Sequence, residues 1–296
     1  MTESATPRVG YIGLGDMGGP IALHLAESDL DTVVFDLRAE AMEPHVAAGA
    51  RAASSLEDLV GSVDVIGICV LYDHQVEAIL LEGPGSVLAH SHPGQVILIN
   101  STCLPETVEK VTEAAEKKSV KVFDAPVSGA SFASRQGTLT VFAGGPDETL
   151  DYCRPILDTY SSKIVHVGPA PGDGQAGKLA NNLMFHVNHT AVMEAIRLGE
   201  AFGLTKEKVL EVAAAGSGNS WAATNYDHWD RFGVEHTLAG TDEIAHRLSK
   251  DLRYAVAEGL KRQTYLPVSA VASQVQPDMM TARWARNAAE QAASEE

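Results

Sequence analysis

Short, almost wholly apolar runs alternate with amphipathic stretches through the first half of the chain. Residues 8–15 (RVGYIGLG), 32–37 (TVVFDL), 64–71 (DVIGICVL), 95–102 (QVILINST), 120–128, 138–145 and 163–168 read as strands, with helical stretches such as 20–28 and 40–49 between them. Unbroken β-branched runs spaced by helices predict a mostly parallel sheet covered on both faces. This α/β region spans residues 1–168. The segment GPAPGDGQAG then punctuates the chain, and helical periodicity governs residues 169–296. No proline interrupts 175–202, which predicts a helix of about 28 residues, roughly 42 Å long, shared between two domains. Further helices are expected at 205–216, 241–259 and 267–275, with a last one after Pro277 and a polar tail, 288–296, that frays.

Composition narrows the picture little. A 45 % hydrophobic and 21 % charged chain of 296 residues has ample material for a core. No apolar run is long enough to span a bilayer, and the polar N-terminus does not read as a signal peptide, so a cytoplasmic protein is expected. The net charge of −17 argues against nucleic-acid partners. It also requires any anionic substrate to be drawn in by local groups rather than by the global field. Cys69, Cys103 and Cys153 are scattered, and Cys69 lies in an apolar run, as a buried thiol would. His186 and His189 share a helical face but lack a third ligand, so no metal site is expected.

The chemistry begins at Gly13-Leu14-Gly15-Asp16-Met17-Gly18. A GxGxxG pattern alone is weak, but this one leaves a strand, opens a helix and is followed by Asp36 at the end of the next strand. That context predicts a doubly wound Rossmann-type domain with a dinucleotide pyrophosphate on the helix N-terminus. Asp36 suits the ribose hydroxyls and repels a 2′-phosphate, whereas Arg38 attracts one. NAD is favoured and NADP stays open.

Four further blocks, read with the glycine turn, resemble the β-hydroxyacid dehydrogenase family, which includes 3-hydroxyisobutyrate dehydrogenases. They are Ile99-Asn100-Ser101-Thr102 with Pro105, Asp124 to Ala130 (DAPVSGA), Gly174 to Asn182 (GQAGKLANN) and Lys250-Asp251-Leu252, in order over residues 8–270. The resemblance implies a nicotinamide-dependent oxidoreductase acting on a small anionic 3-hydroxy acid. It has a Rossmann domain, a 6-phosphogluconate dehydrogenase-like helical C-terminal domain, and a dimeric or tetrameric assembly. It assigns Lys178 as general acid/base, with Asn182 four residues on along the same helix face to orient the substrate hydroxyl or carboxylate. Ser128 and Gly129 would hold the carboxylate. Leu71, Tyr72, Ser101 and Thr102 would face the cofactor, and Lys250 would bring a positive charge to it. Burial beside the nicotinamide would fit Lys178 to its task. Trp221 is placed in a loop lining the variable part of the pocket; His189 is either a supporting donor or a packed core histidine, and Asn181 is structural.

Three departures leave the acid's identity open. Ala130 stands where the family's motif continues with a second glycine, Leu71-Tyr72 stands for Leu-Pro, and the C-terminal region lacks an expected glycine- and aspartate-bearing segment. Two other readings compete. An imine reductase shares the architecture, but Lys178 and Asp36 speak against it. A non-catalytic nucleotide-binding module should have lost Lys178, Ser128 or Asn182, and all three are present.

Overall fold

The computed structural model describes residues 6–235 and 241–295. Contacts divide the chain into two compact units, residues 1–178 and 179–296.

The first unit is built on nine strands: β1 (Val9–Ile12), β2 (Thr32–Phe35), β3 (Arg51–Ala52), β4 (Val65–Ile68), β5 (Val96–Ile99), β6 (Lys121–Asp124), β7 (Val127–Ser128), β8 (Leu139–Gly144) and β9 (Ser161–Gly168). The sheet order is β3-β2-β1-β4-β5-β6-β8-β7, with β9 beside β8. From β3 to β6 every pair is parallel; β8 runs antiparallel to β6 and β7 and parallel to β9. Alternation along each strand sends its residues into two cores. On β5, Val96 and Leu98 join one layer, with Tyr11, Leu25 and Tyr160. Ile97 and Ile99 join the other, with Ile66, Ile68 and Val108. Both faces are therefore covered, as the unbroken apolar runs require. Each fully buried Ile or Leu contributes about 1.5–3 kcal/mol.

The order reverses between β1 and β4, and loops leaving the carboxyl ends on either side of such a switch form the usual ligand crevice. The long helix runs Asp173–Ala201, and Gly203 beyond it takes φ 80°, a left-handed stop. The unit boundary falls inside this helix rather than ahead of it. Its first turn is bonded to β6 through Asp124, so residues up to Lys178 belong with the sheet.

The second unit is helical. Val192, Met193 and Ile196 of the long helix pack with Tyr226, Ala245, Met279, Met280 and Trp284. Three details differ from the sequence reading. Residues 241–259 form two helices, Thr241–Leu248 and Lys250–Lys261. Between them the Ser249 hydroxyl bonds Ala245 O and Gln276 Oε1, the local competition that breaks helices. Pro277 does not end a helix: one helix runs Pro267–Glu295 through it. Gln276, Met279 and Met280 are all buried there, and that packing outweighs the lost backbone bond. The tail expected to fray continues this helix to Glu295, and residue 296 lies outside the described residues. Among the described residues, no helix is long and apolar enough to cross a membrane.

Candidate active site

The glycine turn follows β1 directly. Gly13 has φ 90°, and a side chain there would strike the Cys69 carbonyl. At Gly18 a Cβ would run into the Gly13 carbonyl oxygen, so the helix can start this close only as glycine. A Cβ on Gly15 would meet nothing within 4 Å, which leaves the backbone open to an approaching group. The helix Gly18–Ala26 begins here with its N-terminus at the turn; Gly19 N donates to Gly15 O at 2.7 Å, Ile21 N to Met17 O at 3.4 Å, and Pro20 has no N–H. Asp16 and Leu14 belong to the same turn, and Met17 packs against the sheet core while its carbonyl accepts from the Ser134 hydroxyl at 2.9 Å. Cys69, expected as a buried thiol, is half-buried beside this turn.

Asp36 braces the turn. Its Oδ2 accepts from Leu14 N at 2.8 Å, and its Oδ1 accepts from Arg38 N at 2.9 Å and Arg38 Nε at 3.3 Å. Burial alone would raise this carboxyl's pKa, but the two backbone N–H groups and the guanidinium together hold it below the ordinary range. The result is an ionised acceptor at the end of β2, suited to ribose hydroxyls, with Arg38 tied to it rather than swung toward a 2′-phosphate. Glycine turn, helix start and anionic acceptor fit a nicotinamide dinucleotide.

The cofactor-side loops brace one another. The Ser101 hydroxyl, expected to face the cofactor, is buried and accepts from Val70 N at 2.8 Å. That leaves Thr102, half-buried, as the side chain of the pair nearer solvent. Leu71 is exposed, and its N–H and that of Tyr72 both donate to Gln75 Oε1 at 3.0 Å. Tyr72 stacks on His74, with ring centroids 5.4 Å apart.

On β6 and β7 the chain passes from Asp124 to Ser128 and Gly129. Ser128 pairs with Thr140 of β8, and Gly129 has φ 134°, a conformation that side chains rarely adopt. Ala130, where the family's motif has glycine, takes φ 57° and so carries backbone strain. Asp124 is wholly buried and receives Gly172 N at 2.6 Å and Gln175 N at 2.7 Å. Burial pushes its carboxyl up to about 7, against the pull of those two N–H bonds. A Cβ on Gly144 or Gly174 would meet this carboxylate, so two glycines make room for it. Lys178 sits three residues after Gln175, in the second turn of the long helix, and is 7 % exposed.

Farther along, in the second unit, Asn182 is buried. Its Nδ2 donates to Asp251 Oδ2 at 2.6 Å, and its Oδ1 accepts from Asn181 Nδ2 at 2.9 Å. Lys250 is also buried, with Nζ 3.0 Å from Asp251 Oδ1 and 4.8 Å from the centre of the Tyr254 ring. The three residues form one polar chain, in which a carboxylate holds Lys250. His186 Nδ1 donates to Gln276 Oε1 at 2.9 Å. His189 is packed among Phe185, Tyr226 and Trp229, and burial holds its imidazole down at about 3, an uncharged core residue. Trp221 begins a short helix, Trp221–Thr224, rather than lying in a loop; it is 47 % exposed and meets the Phe185 ring edge-on at 5.7 Å. Sequence reading missed Trp229, which completes this cluster 5.2 Å from Phe185; no local pattern around it signals the contact. Among the described residues, no three His, Cys, Asp or Glu side chains are grouped to hold a metal.

A dinucleotide turn at the switch point and a buried lysine on a helix tied to the strand ends define a nicotinamide-dependent oxidoreductase. Residues 8–168 match the family described as the NAD binding domain of 6-phosphogluconate dehydrogenase. Residues 172–294 match the family described as NAD-binding of NADP-dependent 3-hydroxyisobutyrate dehydrogenase. The chain is 35 % identical to the NAD-dependent L-serine dehydrogenase of Pseudomonas aeruginosa over 269 residues, 90 % of this chain and 89 % of that one. The solved Mycobacterium tuberculosis 3-hydroxyisobutyrate dehydrogenase with L-serine is similar with a TM-score of 0.79 at 25 % identity, over 95 % of this chain and 99 % of that one. An imine reductase of Myxococcus stipitatus shares the fold, with a TM-score of 0.62 at 16 % identity over 93 % of this chain and 95 % of that one. The chain belongs to the 3-hydroxyisobutyrate dehydrogenase-like family of NAD(P)-dependent 3-hydroxyacid dehydrogenases.

Proposed function

We propose that the chain oxidises a small 3-hydroxy acid of the L-serine or 3-hydroxyisobutyrate type, with Lys178 as general acid/base and NAD as the preferred cofactor. The observation that carries this reading is the burial of Lys178 on a helix anchored to the carboxyl end of β6. Buried lysines are the ones suited to trading a proton near neutral pH. A nicotinamide dinucleotide held at the glycine turn by its pyrophosphate would supply the hydride acceptor. Lys178 Nζ takes the proton of the substrate hydroxyl as the carbinol C–H bond breaks, and returns it in the reverse direction. A lysine acting as base is uncharged when it does so. The carboxylate therefore falls to the Ser128 hydroxyl and the backbone N–H groups after Gly129. Asn182, on the Lys178 face of the helix, has two amide N–H groups; one goes to Asp251 and the other is assigned the substrate. Lys250 acts through Asp251, fixing the carboxylate that aims Asn182. The reading places the protein in the cytoplasm as a homodimer or homotetramer. The exposed Leu198, Phe202, Val268 and Val271 of the second unit support association.

The test is NAD reduction over L-serine, 3-hydroxyisobutyrate, glycerate and L-threonine, run with wild type and Lys178→Ala. The variant is expected to lose about 10²–10⁴-fold in kcat with NADH affinity nearly unchanged. Near-native turnover by Lys178→Ala refutes the lysine's role. Reduction of a cyclic imine with no oxidation of any hydroxy acid transfers the site to imine chemistry.

A further inference from the structure

Gln175 is wholly buried, and both ends of its carboxamide hydrogen-bond to one stretch of backbone. Nε2 donates to Ser101 O at 2.9 Å, and Oε1 accepts from Cys103 N at 3.1 Å. One side chain thus pairs with the main chain on both sides of Thr102, as a neighbouring strand would. The strand pairing of β5 ends at Ile99, and buried backbone groups beyond it need partners. From the other side, Asp73 Oδ1 accepts from Leu104 N and the Thr107 hydroxyl, both at 2.7 Å, and so fixes the loop's far end. The Gln175 main chain is itself pinned to Asp124 Oδ2. Lys178 lies three residues on, about 4.5 Å along the axis and on the same face.

We propose that Gln175 is a positioning residue for catalysis: its carboxamide locks the Thr102 loop to the helix turn that leads to Lys178, so that cofactor-side backbone and base keep one register. The proposal rests on the roles given above to Lys178 and the Thr102 loop. An apolar residue of the same volume would fill the space but hold neither backbone group. Shifts of about 1 Å at a reacting group can cost 10²-fold in rate. The chemistry also explains why an amide is needed. A glutamate carboxylate would accept from Cys103 N but repel the Ser101 carbonyl. A protonated glutamic acid, isosteric with glutamine, would accept from one and donate to the other. Gln175→Glu therefore turns a constant clamp into one closed by a proton.

The experiment titrates NADH binding by nicotinamide fluorescence from pH 5.5 to 9 for wild type, Gln175→Ala, Gln175→Glu and the double variant Gln175→Glu/Lys178→Ala. Thermal unfolding is followed at each pH, and turnover is measured with L-serine and 3-hydroxyisobutyrate. Gln175→Ala is expected to lose about 10–100-fold in kcat with a smaller change in the KM for the acid. Gln175→Glu is expected to bind NADH within about threefold of wild type at pH 5.5 and about tenfold more weakly at pH 9, with its kcat relative to wild type falling in step. The same pH dependence of binding is expected in the double variant, which lacks the lysine. If Lys178→Ala alone stays active, the lysine's role fails while this binding signature stands or falls by itself. Folded Gln175 variants with wild-type binding and turnover overturn the proposal, as does a Gln175→Glu deficit equal at every pH. Should Gln175→Ala not fold, Gln175→Glu at pH 5.5 decides; failure of that variant to fold marks Gln175 as a folding requirement and overturns the positioning role.

Discussion

Acidification from pH 7 to pH 5 should weaken the helical unit through a single imidazole, that of His189. Its ring is 4 % exposed, stacked on Phe185 at 5.8 Å and flanked by Tyr226 and Trp229. Burial, helped by the neighbouring His186 and opposed by Asp230, lowers its pKa from 6.5 to about 3. The unfolded chain therefore takes up this proton first. The stabilisation is fully present above pH 6.5 and is lost as pH falls toward 3, at about 1.4 kcal/mol per pH unit. Between pH 7 and pH 5 the loss comes to about 2 kcal/mol. The control is His189→Phe, which keeps a ring in the cluster and cannot titrate. Urea unfolding followed by tryptophan fluorescence isolates the right unit, because the chain's three tryptophans, Trp221, Trp229 and Trp284, all lie in residues 179–296. At fixed protein concentration, the stability of wild type minus that of His189→Phe should fall by about 2 kcal/mol between the two pH values. A difference that stays constant to within about 0.5 kcal/mol, or a His189 proton resonance titrating near 6.5, refutes this account of the cluster.

Two further outcomes follow from the first unit. Asp36→Ala removes both the ribose acceptor and the brace on Leu14 N, so kcat/KM with NAD should fall about tenfold or more. With Arg38 released, the NADP:NAD preference ratio should rise; steady-state kinetics with both cofactors measures it, and an unchanged ratio removes Asp36 as the discriminator. Ala130 sits at φ 57°, so Ala130→Gly relieves about 1–2 kcal/mol of strain, offset by about 0.5–1 kcal/mol of added unfolded-state entropy. The melting temperature should stay level or rise by a few degrees, whereas Ala130→Val should lower it; the reverse order would show that the left-handed conformation is not the constraint.

The parts of this protein legible in sequence are those whose geometry is local. Strands β1, β2, β4, β5 and β6, the glycine turn and the long helix are dictated by patterns a few residues wide, and the spacing of Lys178 and Asn182 on one face needs only the helix period; the two-residue β3 is too short to leave such a pattern. The parts that were not legible are joined by hydrogen bonds across large sequence separations. Ser101 reads as a cofactor-side residue, but that its hydroxyl also accepts from Val70 N, 31 residues away, has no local signal. Asn182 reads as a substrate ligand alone until Asp251, 69 residues on, is found taking one of its N–H groups. Lys250 reads as a charge brought to the cofactor, but its pairing with that same carboxylate is not visible in the motif. Gln175 carried no individual signal at all, because its partners are main-chain atoms 72 and 74 residues back. A motif records which side chains the reaction requires. The bonds that aim those side chains are set by tertiary neighbours, many of them backbone groups that leave no residue type to recognise. That is why Lys178 could be chosen from the sequence, whereas the clamp beside it had to be found in the structure.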